Sequence, residues 1–172
     1  HVNCVNITPD QKYLCAVDLG VDQVKIYKFN DETGKITLVD MLRCELESAP
    51  RIIKFSPDGR FAYLICELKN YISVYSYKDG PRGPVFELVQ TISTLNEYHS
   101  KGSAACVLRF SRDWNYVLCS NAGDNSVGIF KIDRETGMLE KICILPVSGD
   151  YPKAADFFPD NRHIMALNHE SN

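Results

Sequence analysis

The chain has 172 residues, of which 45% are apolar and 24% charged, with a formal net charge of -3. This composition excludes a disordered chain, and its weakly acidic balance leaves no electrostatic footprint for nucleic acid or an anionic membrane surface. No run approaches the roughly 18 apolar residues a membrane-spanning helix needs, and no signal-peptide pattern is present.

The chain opens at His1, and the first unit turns at "TPDQKY", beginning at residue 8. The apolar segments "LCAVD" and "VKIYKF" follow, then the turn "NDETGK" and "KITLVDML". The second unit repeats the plan with "SPDGRF" at 56, "AYLIC", "ISVYSY" and "FELVQTI". Its third turn is replaced by "YKDGPRGPVF", whose glycines and prolines predict a stiffer, more exposed loop. The third unit runs "SRDWNY" at 111, "VLCSN", "VGIFKI", the turn "DRETGM" and "LEKICIL"; the fourth has only "FPDNRH" at 158 and "IMALN". The turn aspartates Asp10, Asp58, Asp113 and Asp160 are 48, 55 and 47 residues apart. The longer spacing contains "STLNEYHSKGS", an insertion carrying Glu97, Tyr98, His99 and Lys101 that maps to one rim.

These segments are short, partly alternating and rich in Val, Ile and Tyr, which predicts strands. Four strands per repeat of this length match a propeller blade. The expected fold is all-β: a β-propeller fragment of three four-stranded antiparallel blades plus half a blade, at 1–46, 47–98, 99–148 and 149–172. A twisted β-sandwich of similar strands is the alternative. His1 and the closing "NHESN" read as interior cuts of a longer chain. An open array exposes apolar blade faces, so the fragment is expected to associate through them. Seven cysteines form no CxxC pair and lie mostly in apolar runs, which reads as small buried hydrophobes in a reducing, cytoplasmic setting.

Each aspartate turn folds strand one back along strand two. Arg51, seven residues before Asp58, therefore meets Glu67, nine residues after it, at the open end of the hairpin beside a central channel. The Arg51 column holds Asn3, Arg51, Cys106 and Lys153; the Glu67 column holds Leu19, Glu67, Ala122 and His169. Asp18, Asn121 and Asn168 mark the strand-two tips. Two readings stand for Arg51 and Glu67, a rim salt bridge or a catalytic pair. Two also stand for Asn121 and Asn168, strand-end backbone bonding or substrate contact. The turn aspartates are structural. No GxSxG, HExxH, P-loop or dinucleotide motif is present, and no histidines stand at metal-ligand spacing, so neither metal nor cofactor is expected.

With "SPDGRFAYLICEL", "AVDLGVDQVKIYKF", "QTISTL", "GSAACVLRFSRD" and "SNAGDNSVGIFKIDRETGMLE", the sequence resembles the lactonase-type seven-bladed propellers, the family of bacterial 6-phosphogluconolactonases related to fungal muconate-cyclising enzymes. The resemblance covers nearly the whole chain and implies roughly half of a full-length enzyme. It implies a pocket using Arg51 in "APR", Glu67 in "CEL" and His1. The chain departs from the family pattern at Asn3, Ile52, Cys106, Ala122, Asp124 and Lys153. The implied chemistry is hydrolysis of a small-molecule sugar lactone. Catalysis falls to Glu67, Arg51 and His1, and substrate binding to Asn3, Asn121, Lys153, Asn168 and His169. The alternative is a catalytically degenerate propeller serving as a sugar-acid binder or interaction scaffold. An isolated half ring is expected to be inactive.

Overall fold

The computed structural model describes residues 1–96 and 102–171. Glu97, Tyr98, His99 and Lys101 of the predicted rim insertion lie outside the described residues. The first sheet contains β1 (Val2–Ile7), β2 (Tyr13–Asp18), β3 (Gln23–Phe29) and β4 (Ile36–Arg43). The second contains β5 (Pro50–Phe55), β6 (Phe61–Cys66), β7 (Tyr71–Gly80) and β8 (Gly83–Ser93). The third contains β9 (Ala104–Phe110), β10 (Tyr116–Ala122), β11 (Ser126–Ile132) and β12 (Leu139–Pro146). β13 (Pro152–Phe157) and β14 (Ile164–Asn168) pair alone. Consecutive strands pair antiparallel in every sheet. The first strands touch in series, β1 to β5, β5 to β9 and β9 to β13. The sheets are therefore blades of an unclosed propeller, with first strands innermost. The only helix among the described residues is a 3-10 turn, Leu19–Val21.

The aspartate turns form for a local reason. Thr8, Ser56 and Ser111 donate their hydroxyls to Asp10, Asp58 and Asp113 at 2.6, 2.6 and 2.7 Å. The same carboxylates accept the backbone N–H two residues on, from Lys12, Arg60 and Asn115. This Asx geometry closes the turn from within. In the half blade Phe158 replaces the hydroxyl residue, and Asp160 accepts from the Arg162 and His163 N–H groups; these bonds hold its carboxyl low, at about 2.

The core lies between blades, so the second strand of a middle blade is buried on both faces. In β6 all six residues are buried. Phe61, Tyr63 and Ile65 pack toward the third blade with Leu108, Val117 and Phe130. Ala62, Leu64 and Cys66 pack toward the first with Cys15, Val17 and Ile26. This explains why "FAYLIC" is a continuous apolar run: alternation disappears when both faces are covered.

Polar latches cross the same interfaces at the turn end. The Tyr13 hydroxyl donates to Asp79 at 2.8 Å, and the Tyr77 hydroxyl to Asp10 at 2.9 Å. Tyr63 donates to the Gly137 carbonyl at 3.0 Å. Here the structure corrects one expectation. "YKDGPRGPVF" is not an open loop: β7 and β8 continue through it to the Gly80–Gly83 pair. The extension carries Asp79 onto Lys12 and Tyr13 of the first blade, and that anchorage holds the hairpin in ladder form.

Gly34 and Gly137 occupy matching turns and share a left-handed backbone, φ 68° and 74°. Their surroundings differ. A Cβ on Gly34 meets nothing within 4 Å, whereas one on Gly137 would lie 2.4 Å from the Phe61 ring. Gly34→Ala is expected to cost about 1 kcal/mol through backbone strain alone. Gly137→Ala is expected to cost about 2–3 kcal/mol, because it also forces the blades apart. Urea unfolding of both variants of the full-length protein checks this, and equal midpoints would contradict the close approach of Gly137 to Phe61.

Candidate functional site

At the open end of each inner hairpin the ladder gains one residue. Val2 faces Asp18 and Cys4 faces Val17, which leaves Asn3 extra. Pro50 faces Cys66 and Ile52 faces Ile65, leaving Arg51. Ala105 faces Asn121 and Val107 faces Ser120, leaving Cys106. Pro152 faces Asn168 and Ala154 faces Leu167, leaving Lys153. The column predicted from turn spacing is thus a column of β-bulges, which lift a side chain out of the regular alternation and re-aim it.

Just past the bulge, Glu67 N–H donates to Ala49 O at 2.8 Å and His169 N–H to Tyr151 O at 3.0 Å. Ala49 and Tyr151 hold a left-handed backbone, φ 53° and 63°, which costs a non-glycine residue on the order of 1 kcal/mol or more. Acceptors on the preceding blade fix both. Asp22 Oδ1 accepts Ala49 N–H and Asn125 Oδ1 accepts Tyr151 N–H, each at 2.8 Å. Between them, Asn70 Nδ2 donates to Ser103 O at 2.9 Å. Asp22, Asn70 and Asn125 all sit at φ 52°, a conformation that Asp and Asn tolerate better than other side chains. The column reading missed these latches. Their signal was an Asp or Asn recurring just before each third strand.

On this frame Arg51 Nη1 and Glu67 Oε2 form a short ion pair, with side chains 30% and 20% exposed. Such a partly exposed pair contributes about 1 kcal/mol to folding; its greater effect is to fix two charges in one orientation. Buried Cys106 stands within their field. Burial pushes its thiol up, Arg51 pulls it down and Glu67 pushes it up again, with a smaller downward pull from Lys153. Ala104, Cys106 and Ala122 form a small apolar cluster against which Tyr151 packs. The Lys153 ammonium lies 5.2 Å from the centre of the Tyr151 ring, within cation–π range, and His169 meets that ring edge-on at 6.2 Å. Residues from blades two, three and four therefore converge on one mouth.

The other predicted residues are placed differently. The His1 side chain is exposed, and its α-amino nitrogen meets Asp18 at 2.8 Å. Asn3 is exposed on the first blade. Among the described residues neither is hydrogen-bonded or ion-paired to Arg51 or Glu67. Asn121 is buried with its Nδ2 donating to Thr94 O at 2.9 Å and Ser126 Oγ at 3.1 Å, so its amide ties the third blade to the chain leaving the second. Asn168 is half-buried, and its buried Oδ1 has no hydrogen-bond partner among the described residues. Tyr151, which spacing did not single out, joins Lys153 and His169 to the Cys106 cluster. Among the described residues no group of three or more His, Cys, Asp or Glu could hold a metal ion, and no helix is long and apolar enough to cross a membrane.

Residues 1–172 match the family described as "Lactonase, 7-bladed beta-propeller". The chain belongs to the lactonase family of seven-bladed β-propellers. Among the curated relatives, a Lactococcus lactis protein is 34% identical over 171 residues, covering 99% of this chain and 49% of the relative. A Staphylococcus saprophyticus protein is 30% identical over 170 residues, covering 99% and 48%. The chain thus spans about half the length of the curated relatives it matches. The solved periplasmic gluconolactonase of Pseudomonas aeruginosa superposes with a TM-score of 0.89 at 29% identity, covering 98% of this chain and 47% of that one. A Lactobacillus plantarum structure gives 0.87 at 29% identity, covering 98% and 48%.

The field at Cys106 is directly testable. Glu67→Gln removes a negative neighbour and frees Arg51, which lowers the thiol pKa and raises the thiolate fraction. Site-resolved alkylation with iodoacetamide at pH 8 is expected to run several-fold faster at Cys106 in Glu67→Gln and slower in Arg51→Met. Unchanged rates in both variants would show that these charges do not reach Cys106.

Proposed function

We propose that the full-length protein hydrolyses a sugar lactone at the mouth built around Arg51 and Glu67. The observation that carries this reading is their ion pair, set on a bulge at the mouth of the inner hairpin. Family membership supports the reaction class, as does the likeness to a protein described as a gluconolactonase.

Glu67 accepts a proton from a water that attacks the lactone carbonyl. Arg51 stabilises the oxyanion as the tetrahedral centre forms. The ring C–O bond then breaks, the leaving alkoxide takes the proton back, and the product is the open hydroxy acid. His169 at the same mouth assists proton transfer. Asn168 is the proposed contact for sugar hydroxyls on the half blade, and His1 and Asn3 are those of the first blade; buried Asn121 stays with its bonds to Thr94 and Ser126. Lys153 has no carboxylate partner among the described residues; held over Tyr151, it receives the 6-phosphate of 6-phosphogluconolactone. The apolar patch of Ala104, Cys106 and Ala122 favours a second reading, a propeller that binds the sugar acid without turning over its lactone.

Hydrolysis of gluconolactone and of its 6-phosphate by the full-length protein separates the two readings. The expected result is turnover above background, falling about 10²-fold or more in Glu67→Gln. Lys153→Gln is expected to raise KM for the phosphorylated lactone only. Equal rates for wild type and Glu67→Gln would remove Glu67 from the chemistry, and a background rate in the wild type would leave the binding reading.

A further inference from the structure

The first two blade junctions share one backbone plan at their turn ends but hold different side chains. Tyr77 N–H donates to Arg60 O at 2.7 Å and Ile132 N–H to Asn115 O at 2.8 Å, so the two residues occupy one place in their blades. Gly59 and Trp114 also correspond. Each donates its N–H across an aspartate turn, to Ser56 O and Ser111 O at 3.0 Å, and each holds a left-handed backbone, φ 73° and 56°. Asp10 and Asp58 are the matching turn carboxylates.

At the first junction the Tyr77 ring packs against Phe55 and Phe86, with centroids 5.7 and 5.0 Å away, and its hydroxyl donates to Asp10 at 2.9 Å. At the second, Ile132 stands in its place and supplies neither ring nor hydroxyl. A cleft of about 260 Å³ opens there between blades two and three, with Asp58, Phe61, Tyr63, Trp114, Ile132 and Arg134 in its walls. Trp114 is the chain's one tryptophan, half-buried and stacked on Phe110 with centroids 4.3 Å apart. A bulky side chain at positive φ carries strain that glycine avoids, and such strain collects at ligand sites. Gly59 shows that the turn itself needs no ring at this position. Charges around the cleft balance: Asp58 pairs with Arg60 at 2.7 Å, and the Arg134 guanidinium donates to the Asp113 carbonyl beside the Asp113 carboxylate.

We infer that this cleft binds a small neutral phenol, which brings from outside the group that Tyr77 supplies at the first junction. The ring packs against Trp114, Phe61 and Ile132, and the hydroxyl donates to Asp58 as Tyr77 donates to Asp10. Asp58 already accepts from the Ser56 hydroxyl and from Arg60 Nε, but a carboxylate has about four lone-pair sites, so acceptor capacity remains. Balanced charge favours a neutral ligand over an ion. The cleft lies at the aspartate turns, the opposite end of the inner hairpins from Arg51 and Glu67, and is therefore a site separate from the mouth.

The test titrates the full-length protein with p-cresol, the side chain of tyrosine as a free molecule, and with toluene, which lacks the hydroxyl. Binding is read from the NMR signal of the Trp114 indole N–H, assigned by its loss in Trp114→Gly, and from calorimetry. The expected result is a saturable shift with p-cresol, bound about 10-fold more tightly than toluene. Ile132→Tyr builds the ring into the chain and is expected to abolish p-cresol binding, and Trp114→Gly, which copies the second-blade turn, to weaken it several-fold. An indole signal that does not move, equal affinities for p-cresol and toluene, or binding unchanged in Ile132→Tyr would each overturn the inference. The comparison of ligands needs no substitution, so it decides the matter even where Ile132→Tyr fails to fold. None of these readouts depends on lactone turnover.

Discussion

One extra residue at the mouth end of each inner hairpin decides what this chain presents to the channel. Side chains alternate along a strand, so Arg51 has the parity of Ile53 and Phe55, both buried between the first and second blades. In a regular ladder its guanidinium would aim into that apolar interface, where an unpaired charge is costly. The bulge between Pro50 and Ile52 breaks the alternation at Arg51, and the guanidinium reaches Glu67 instead. The same offset frees Lys153 from the parity of buried Ala155. Folding and site geometry are therefore one problem: two-sided burial of the inner strands demands strict alternation, and the bulge is where alternation is released.

Much of this was legible because turns and hydrophobic runs are local. "SPDG" and its relatives encode Asx turns with their own hydroxyl and carboxylate, so spacing from the aspartates located the Arg51 and Glu67 columns. The latches were harder to see. Asp22, Asn70 and Asn125 are single residues whose partners, Ala49, Ser103 and Tyr151, are more than 20 positions away. The middle hairpin misled because its Gly-Pro composition signals a loop, while Asp79 holds it as a strand through contacts with a different blade. Asn121 and Lys153 looked alike as polar mouth residues. Burial separates them: the first is committed to Thr94 and Ser126, the second faces outward over Tyr151.

The mouth is assembled across blades, which suits a radial fold. Arg51 and Glu67 come from one blade, Cys106 from the next, and Tyr151, Lys153 and His169 from the half blade. No single blade carries the set, so each interblade latch also holds the site. The outer faces at the two ends expose Val5, Ile7, Met165 and Leu167, each more than half accessible, as expected where a family member's neighbouring blades would pack.

The central claim is that Arg51 and Glu67 work as a unit. A double-mutant cycle on kcat/KM for lactone hydrolysis by the full-length protein tests it most directly, using Arg51→Met, Glu67→Gln and the pair. The account predicts strong non-additivity, with the double variant about as slow as either single variant. Losses that simply multiply would mean that the two side chains act independently, and the ion pair would then be no more than a rim contact.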